Sequence, residues 1–220
     1  MRKPSNSGER TSMRLRLTFV LSCVLVLFGK AAYSADVVIT VEPQIDVTAD
    51  SPPIVVWIAG LESQEESNGD YSISQKGTNF TPKFLVVPAG AIVRMPNDDD
   101  VAHNVFSFST PKQFNLGIYP KGTSKSVTFD TPGLIQIYCS IHQHMSASIL
   151  VVPSDRFAIV NAEGTARIED VPAGEYTLTV WDHEQGERDV PITVAEAAEV
   201  DIALEPVQPT TEATDDGKLP

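Results

Sequence analysis

The sequence predicts an all-β chain. Sixteen Pro and 13 Gly punctuate the 220 residues, and the runs between them are short and rich in Val, Ile and Thr, the residues that suit a pleated surface. Several of these runs alternate with period two. In the clearest case Tyr176, Leu178 and Val180 fall on one face and Thr177 and Thr179 on the other, which marks a half-buried strand. Hydrophobic residues make up 42% of the chain, enough for a packed core, and neither a helical nor a doubly wound fold suits the pattern.

At the N-terminus, Arg14 and Arg16 precede the apolar run Leu17–Phe28 and the small-residue site Ala32-Tyr33-Ser34. Residues 1–34 therefore read as a cleaved secretory signal peptide. The run has 12 residues, short of the roughly 20 that a helix needs to cross a bilayer. Lipid attachment at Cys23 is the weaker alternative, because the apolar run continues past that residue. Met13 would open a tidier signal than Met1, so the translation start stays open. The expectation is a periplasmic or secreted protein with no membrane span after cleavage.

Cleavage removes six of the 16 Lys+Arg and one of the 29 Asp+Glu, taking the formal charge from −13 to −18. Such a chain is disfavoured as a binder of nucleic acid or anionic lipid and would attract a basic protein partner. The same charge also serves solubility.

Along the mature chain, Val37–Val41 and Ile54–Ala59 are the expected first strands, with Trp57 in the core. Glu62–Asp70 reads as an exposed acidic loop. Asp98-Asp99-Asp100 reads as a solvated turn rather than a hard-cation site, because three successive acids diverge. His103–Phe108, Leu134–Tyr138 and Ser148–Val152 are strand-like, and Pro153-Ser154-Asp155 marks a boundary between a domain over 35–153 and a second over 154–205. After it, Val190/Ile192/Val194 and Val200/Ile202/Leu204 repeat the period-two pattern. The second unit is shorter than the roughly 60 residues at which a domain buries only about 60% of its surface, so it is expected to lean on the first. Trp181-Asp182-His183 reads as a turn, and 206–220, without an apolar run, as a disordered tail.

Cysteine usage points to chemistry. Exported domains often pair their cysteines, yet the mature chain retains Cys139 alone. A lone thiol in an oxidising compartment is a liability unless it is buried or bound to a metal. Its surroundings read Tyr138-Cys139-Ser140-Ile141-His142-Gln143-His144-Met145, with His103-Asn104 36 residues upstream. One thiolate and two imidazoles with a weak axial thioether form the ligand set of blue copper. In the spacing Cys-x2-His-x2-Met, a loop that leaves one strand at the Cys and enters the next after the Met brings three ligands to one ion, with His103 arriving from a neighbouring strand. His144 in place of His142 would leave Met145 adjacent and unable to bind beside it from a tight turn. The axial Met argues for copper over zinc, which rarely takes a thioether.

These residues resemble the cupredoxins, and the Cys-x2-His-x2-Met loop looks most like that of amicyanin. The resemblance runs from about Ser72 to Val152, through Phe80-Thr81-Pro82, Val87-Pro88-Ala89-Gly90, Met95-Pro96-Asn97-Asp98 and Asp130-Thr131-Pro132-Gly133. It implies a Greek-key β-sandwich with one type 1 copper ion, held by His103, Cys139 and His142 in the plane and Met145 on the axis. It also implies that Asn104 ties the two ligand-bearing loops together and that Ser140 bonds back across the site, with His144 peripheral. Ala162-Glu163-Gly164-Thr165 and Asp170-Val171-Pro172-Ala173-Gly174-Glu175-Tyr176 resemble the carboxypeptidase-regulatory-like domains, which implies a small transthyretin-like sandwich. The combination resembles plastocyanin-like proteins filed near methylamine utilisation.

The function expected is that of an electron carrier, not an enzyme, working with a redox protein such as a basic c-type cytochrome or a dehydrogenase. A copper storage or delivery protein and a structural module with incidental copper are the rival classes. No Ser-His-Asp pattern occurs in the sequence, and no second copper cluster is expected, because the single His-x-His, His142-Gln143-His144, lies within the ligand loop itself.

Overall fold

The computed structural model describes residues 34–42, 52–61, 69–195 and 198–203. The apolar run Leu17–Phe28 with Met13 and Cys23, most of the acidic stretch 62–70 and residues 206–220 lie outside the described residues. Within them every regular element is a strand, and no helix is long and apolar enough to cross a membrane.

The strands are β1 (Ser34–Glu42), β2 (Val55–Ala59), β3 (Tyr71–Ser72), β4 (Ser74–Lys76), β5 (Asn79–Thr81), β6 (Phe84–Pro88), β7 (Ala91–Pro96), β8 (His103–Ser107) and β9 (Phe114–Tyr119). They continue as β10 (Ser124–Phe129), β11 (Gly133–Tyr138), β12 (Ser146–Val152), β13 (Phe157–Ile159), β14 (Thr165–Pro172), β15 (Gly174–Asp182), β16 (Gly186–Val194) and β17 (Ala198–Ala203). Four sheets carry the fold, in the orders β14-β1-β17, β13-β2-β15-β16, β6-β12-β11-β8-β9 and β10-β7-β3, and β4 and β5 form a separate hairpin.

The apolar residues sort these sheets into layers. Val37, Ile39 and Val41 of β1 meet Ile54, Val56, Ile58, Leu178 and Val180 in one core. Met95, Val105, Phe129, Ile137 and Ile149 belong to a second, between the five-stranded sheet and β10-β7-β3. A third cluster joins the two sandwiches: Val55, Trp57 and Trp181 pack with Val86, Leu150 and Val152. Strands β2 and β12 are among those buried on both faces. Along β2, Val56 and Ile58 enter the first core while Val55 and Trp57 enter the third. Along β12, Ile149 and Val151 enter the second core while Leu150 and Val152 enter the third. Both faces being covered is why these runs read as nearly continuous apolar sequence.

The pairing of β1 and β2 differs from the expectation that they open the 35–153 domain. β1 pairs antiparallel with β14 and parallel with β17, and β2 pairs with β13 and β15. The N-terminal strands thus complete the C-terminal sandwich. The physical reason is size: 154–205 alone has too little apolar surface to cover its own sheets, and β1 and β2 supply the missing face. Trp57 is buried, as expected. His183 lies in the β15–β16 turn, where Asp182 Oδ1 accepts the N–H groups of Glu184 and Gln185, in keeping with its reading as a turn residue.

Candidate metal centre

The candidate centre is built at one end of the second core. β11 stops at Tyr138 and β12 starts at Ser146, in register with each other, so Cys139 to Met145 form the connection. Cys139 N–H donates to the Met145 carbonyl at 3.2 Å and Met145 N–H to the His142 carbonyl at 2.9 Å. This turn stacks three of the proposed ligands along one short loop. β8 pairs with β11 through Phe106 opposite Tyr138, which brings His103, the first residue of β8, alongside Cys139.

Three donor atoms meet there. Cys139 Sγ lies 3.8 Å from His103 Nδ1 and 4.0 Å from His142 Nδ1, and the two Nδ1 atoms are 3.1 Å apart. Among the described residues these three side chains form the one cluster of His, Cys, Asp or Glu close enough to hold a metal ion. Donors bound to a shared ion at about 2.0–2.3 Å in a trigonal plane stand about 3.5–4 Å from one another, so the triangle fits one ion once the two imidazole nitrogens, 3.1 Å apart, spread by a few tenths of an ångström. His103 and Cys139 are buried and His142 is partly open to solvent. Met145 is fully buried in the same cluster as Cys139.

The protein favours the thiolate here. Burial pushes the Cys139 thiol up, but the backbone N–H groups of Asn104, His142 and Ile141 and the His103 ring outweigh it and hold the group at about 6, against the ordinary 9.0. A folded value below the unfolded one means that the unfolded chain binds more protons between those limits. The stability of the metal-free protein is therefore expected to rise with pH from about 6 to about 9 and to lose this contribution as pH falls through about 6. The far-ultraviolet absorbance of the thiolate should titrate over the low end of that range in the folded protein and vanish in Cys139→Ser. A midpoint at the ordinary value would show that the N–H groups do not face the sulfur.

The surrounding residues take specific positions. Asn104 Oδ1 accepts the Ser140 N–H at 3.3 Å, and its Nδ2 donates to Asn115 Oδ1 on β9 at 2.8 Å, so the side chain spans the two ligand-bearing segments. Ser140 takes part through its backbone, and its side chain is exposed. His144 is exposed and outside the donor triangle; its Nε2 is 3.2 Å from Thr78 Oγ1. Sequence reading missed Asp99, Thr78 and Asn115, which reach the site through hydrogen bonds across the fold. Asp99 Oδ2 lies 2.9 Å from His103 Nε2, so this part of the acidic run faces inward rather than into solvent.

The chain is similar in fold, over part of its length, to solved cupredoxins. One is a purple cupredoxin from Nitrosopumilus maritimus, 26% identical, covering 38% of this chain and 100% of its own, with a TM-score of 0.35. Another is a Cu(I) form of an amicyanin mutant, 18% identical, covering 44% of this chain and 98% of its own, with a TM-score of 0.36. A copper-containing nitrite reductase from Thermus scotoductus is 24% identical, with 52% of this chain matched to 28% of that one and a TM-score of 0.37. No family model and no curated protein matches the sequence.

Proposed function

We propose that this protein is an exported type 1 copper protein that carries one electron at a time. The observation that carries the reading is the triangle of Cys139 Sγ, His103 Nδ1 and His142 Nδ1, in a loop that also contains buried Met145. Thiolate and thioether suit Cu(I) and imidazole suits Cu(II), so this donor set tolerates both states. Bound copper would supply a Cu(II)/Cu(I) couple. Cys139, His103, His142 and Met145 would hold it. Strands β8, β11 and β12, which carry or flank the donors, would hold them in place when copper is bound. His142, the most open of the three donors, would face a redox partner.

The test is a visible and EPR spectrum of the copper-loaded mature protein. An intense blue or violet sulfur-to-copper band with reversible redox cycling supports a carrier, whereas a colourless, slowly exchanging site supports storage. His142→Ala is expected to destroy that band and His144→Ala to leave most of it. The reverse result would assign the loop the wider Cys-x4-His spacing and remove Met145 from the axis.

The redox partner is proposed to be basic, a small c-type cytochrome or a dehydrogenase domain of that charge, because the mature chain carries −18 after loss of residues 1–34. Opposite charge raises the encounter rate without demanding a tight interface. Stopped-flow rates should fall as salt shortens the Debye length to about 8 Å at physiological ionic strength. Equal, salt-independent rates with acidic and basic cytochromes would discard the steering. Export to the periplasm or medium is supported by the Leu17–Phe28 run and its flanks, and N-terminal sequencing of the exported protein tests it.

A further inference from the structure

The three acids at 98–100 have separate tasks. Asp98 Oδ2 accepts the Ser74 hydroxyl at 2.6 Å, and Asp100 pairs with Lys121 at the surface. Asp99 turns inward to His103, whose side chain is wholly buried. The His103 ring is thereby divided. Nδ1 faces Cys139 Sγ and His142 Nδ1, and Nε2 faces the Asp99 carboxylate. An ionised carboxylate only accepts hydrogen bonds, so the Nε2 proton is retained and the Nδ1 lone pair is left for the donor triangle.

Asp99 is itself held. Its Oδ2 also accepts the Thr78 N–H at 2.7 Å, its Oδ1 the Asp100 N–H at 3.0 Å, and its own N–H donates to Asn97 Oδ1 at 3.0 Å. Thr78 occupies the two-residue turn between β4 and β5 with φ of 53°, next to Gly77 at 59°. A β-branched residue rarely takes that conformation, and here it directs its N–H at the carboxylate. The Thr78 hydroxyl in turn meets His144. The hairpin and the first residue of β8 thus meet on one carboxylate oxygen, Asp99 Oδ2.

We propose that Asp99 is the positioning residue of the metal centre: its carboxylate holds His103 as the Nε2–H tautomer, aims Nδ1 at the metal and, by its negative charge, favours Cu(II) over Cu(I). The inference rests on the copper reading above. A carboxylate bonded to the far nitrogen of a ligand imidazole fixes the ring and raises its basicity, and losing such a partner typically weakens metal binding about 10- to 100-fold. A donor made less basic loses more with Cu(II) than with Cu(I). Each tenfold loss confined to Cu(II) raises a one-electron potential by about 59 mV.

The test uses the full mature chain. In the metal-free wild type, 15N NMR of the histidine rings should show His103 as the Nε2–H tautomer, and Asp99→Ala should lose that preference. With copper, Asp99→Ala should bind Cu(II) about 10- to 100-fold more weakly and show a raised potential. Asp99→Asn keeps an acceptor oxygen without the charge and should retain the tautomer with a smaller rise. Asp98→Asn removes the same charge from the same turn without touching His103, and its potential should move least. If Asp99→Ala fails to fold, Asp99→Asn and the wild-type tautomer carry the test. An Nδ1–H tautomer in a copper-binding wild type, or Asp99 variants whose potential matches that of Asp98→Asn, overturns this inference alone. A wild type that binds no copper overturns the copper reading and the inference with it.

Discussion

Cys139→Ser is expected to abolish the charge-transfer colour of the copper-loaded protein. The colour requires a thiolate bound to Cu(II), and Cys139 is the one cysteine left after residues 1–34 are removed. A hydroxyl at this position keeps the size of the side chain but stays protonated at neutral pH, because the N–H groups of Asn104, His142 and Ile141 that stabilise a thiolate cannot ionise an alcohol. His103 and His142 would remain, so the variant should bind Cu(II) weakly with the pale spectrum of nitrogen and oxygen donors. Absorption and EPR spectra of the loaded variant check this. An unchanged spectrum would remove Cys139 from the centre.

The second large effect is expected on truncation after Val152. All four proposed ligands precede that point, and from the sequence alone the shortened chain should still load copper. The strand pairing changes the expectation. Removing β13 to β17 leaves Val37, Ile39, Val41, Ile54, Val56 and Ile58 without the residues that cover them. Burying each such side chain is worth about 1.5–3 kcal/mol, and six together amount to about the whole stability of a domain, roughly 5–15 kcal/mol. The same cut strips Trp181 from Trp57 and Leu150. The chain ending at Val152 should therefore aggregate where the full-length protein stays monodisperse, and size-exclusion chromatography with light scattering measures it. Equal solubility would mean that β1 and β2 do not depend on the C-terminal strands.

Much of this protein was legible in its sequence because the informative signals are local. Period-two runs such as Tyr176 to Val180 define a strand without reference to any partner. The donors of the ligand loop lie within seven residues, so a hairpin connection gathers them whatever the rest of the fold does. The closeness of His103 to Cys139 could be anticipated from strand-like flanks on both sides.

What lay beyond the sequence depends on contacts between distant segments. The run Ile54–Ala59 has the same apolar character whichever sheet it joins, and only the hydrogen bonds of β2 to β13 and β15 decide between them. Asp98, Asp99 and Asp100 are one letter three times. Their different roles arise because the β4–β5 turn presents Thr78 N–H to the middle one and the strand end presents His103. By itself the sequence determined the all-β class and the loop that can bring a thiolate, imidazole and thioether together, since both follow from spacing along the chain. Tertiary structure alone decided which strands complete the C-terminal sandwich and which acid faces the buried imidazole, because hydrogen bonds across the fold choose among residues that local pattern cannot tell apart.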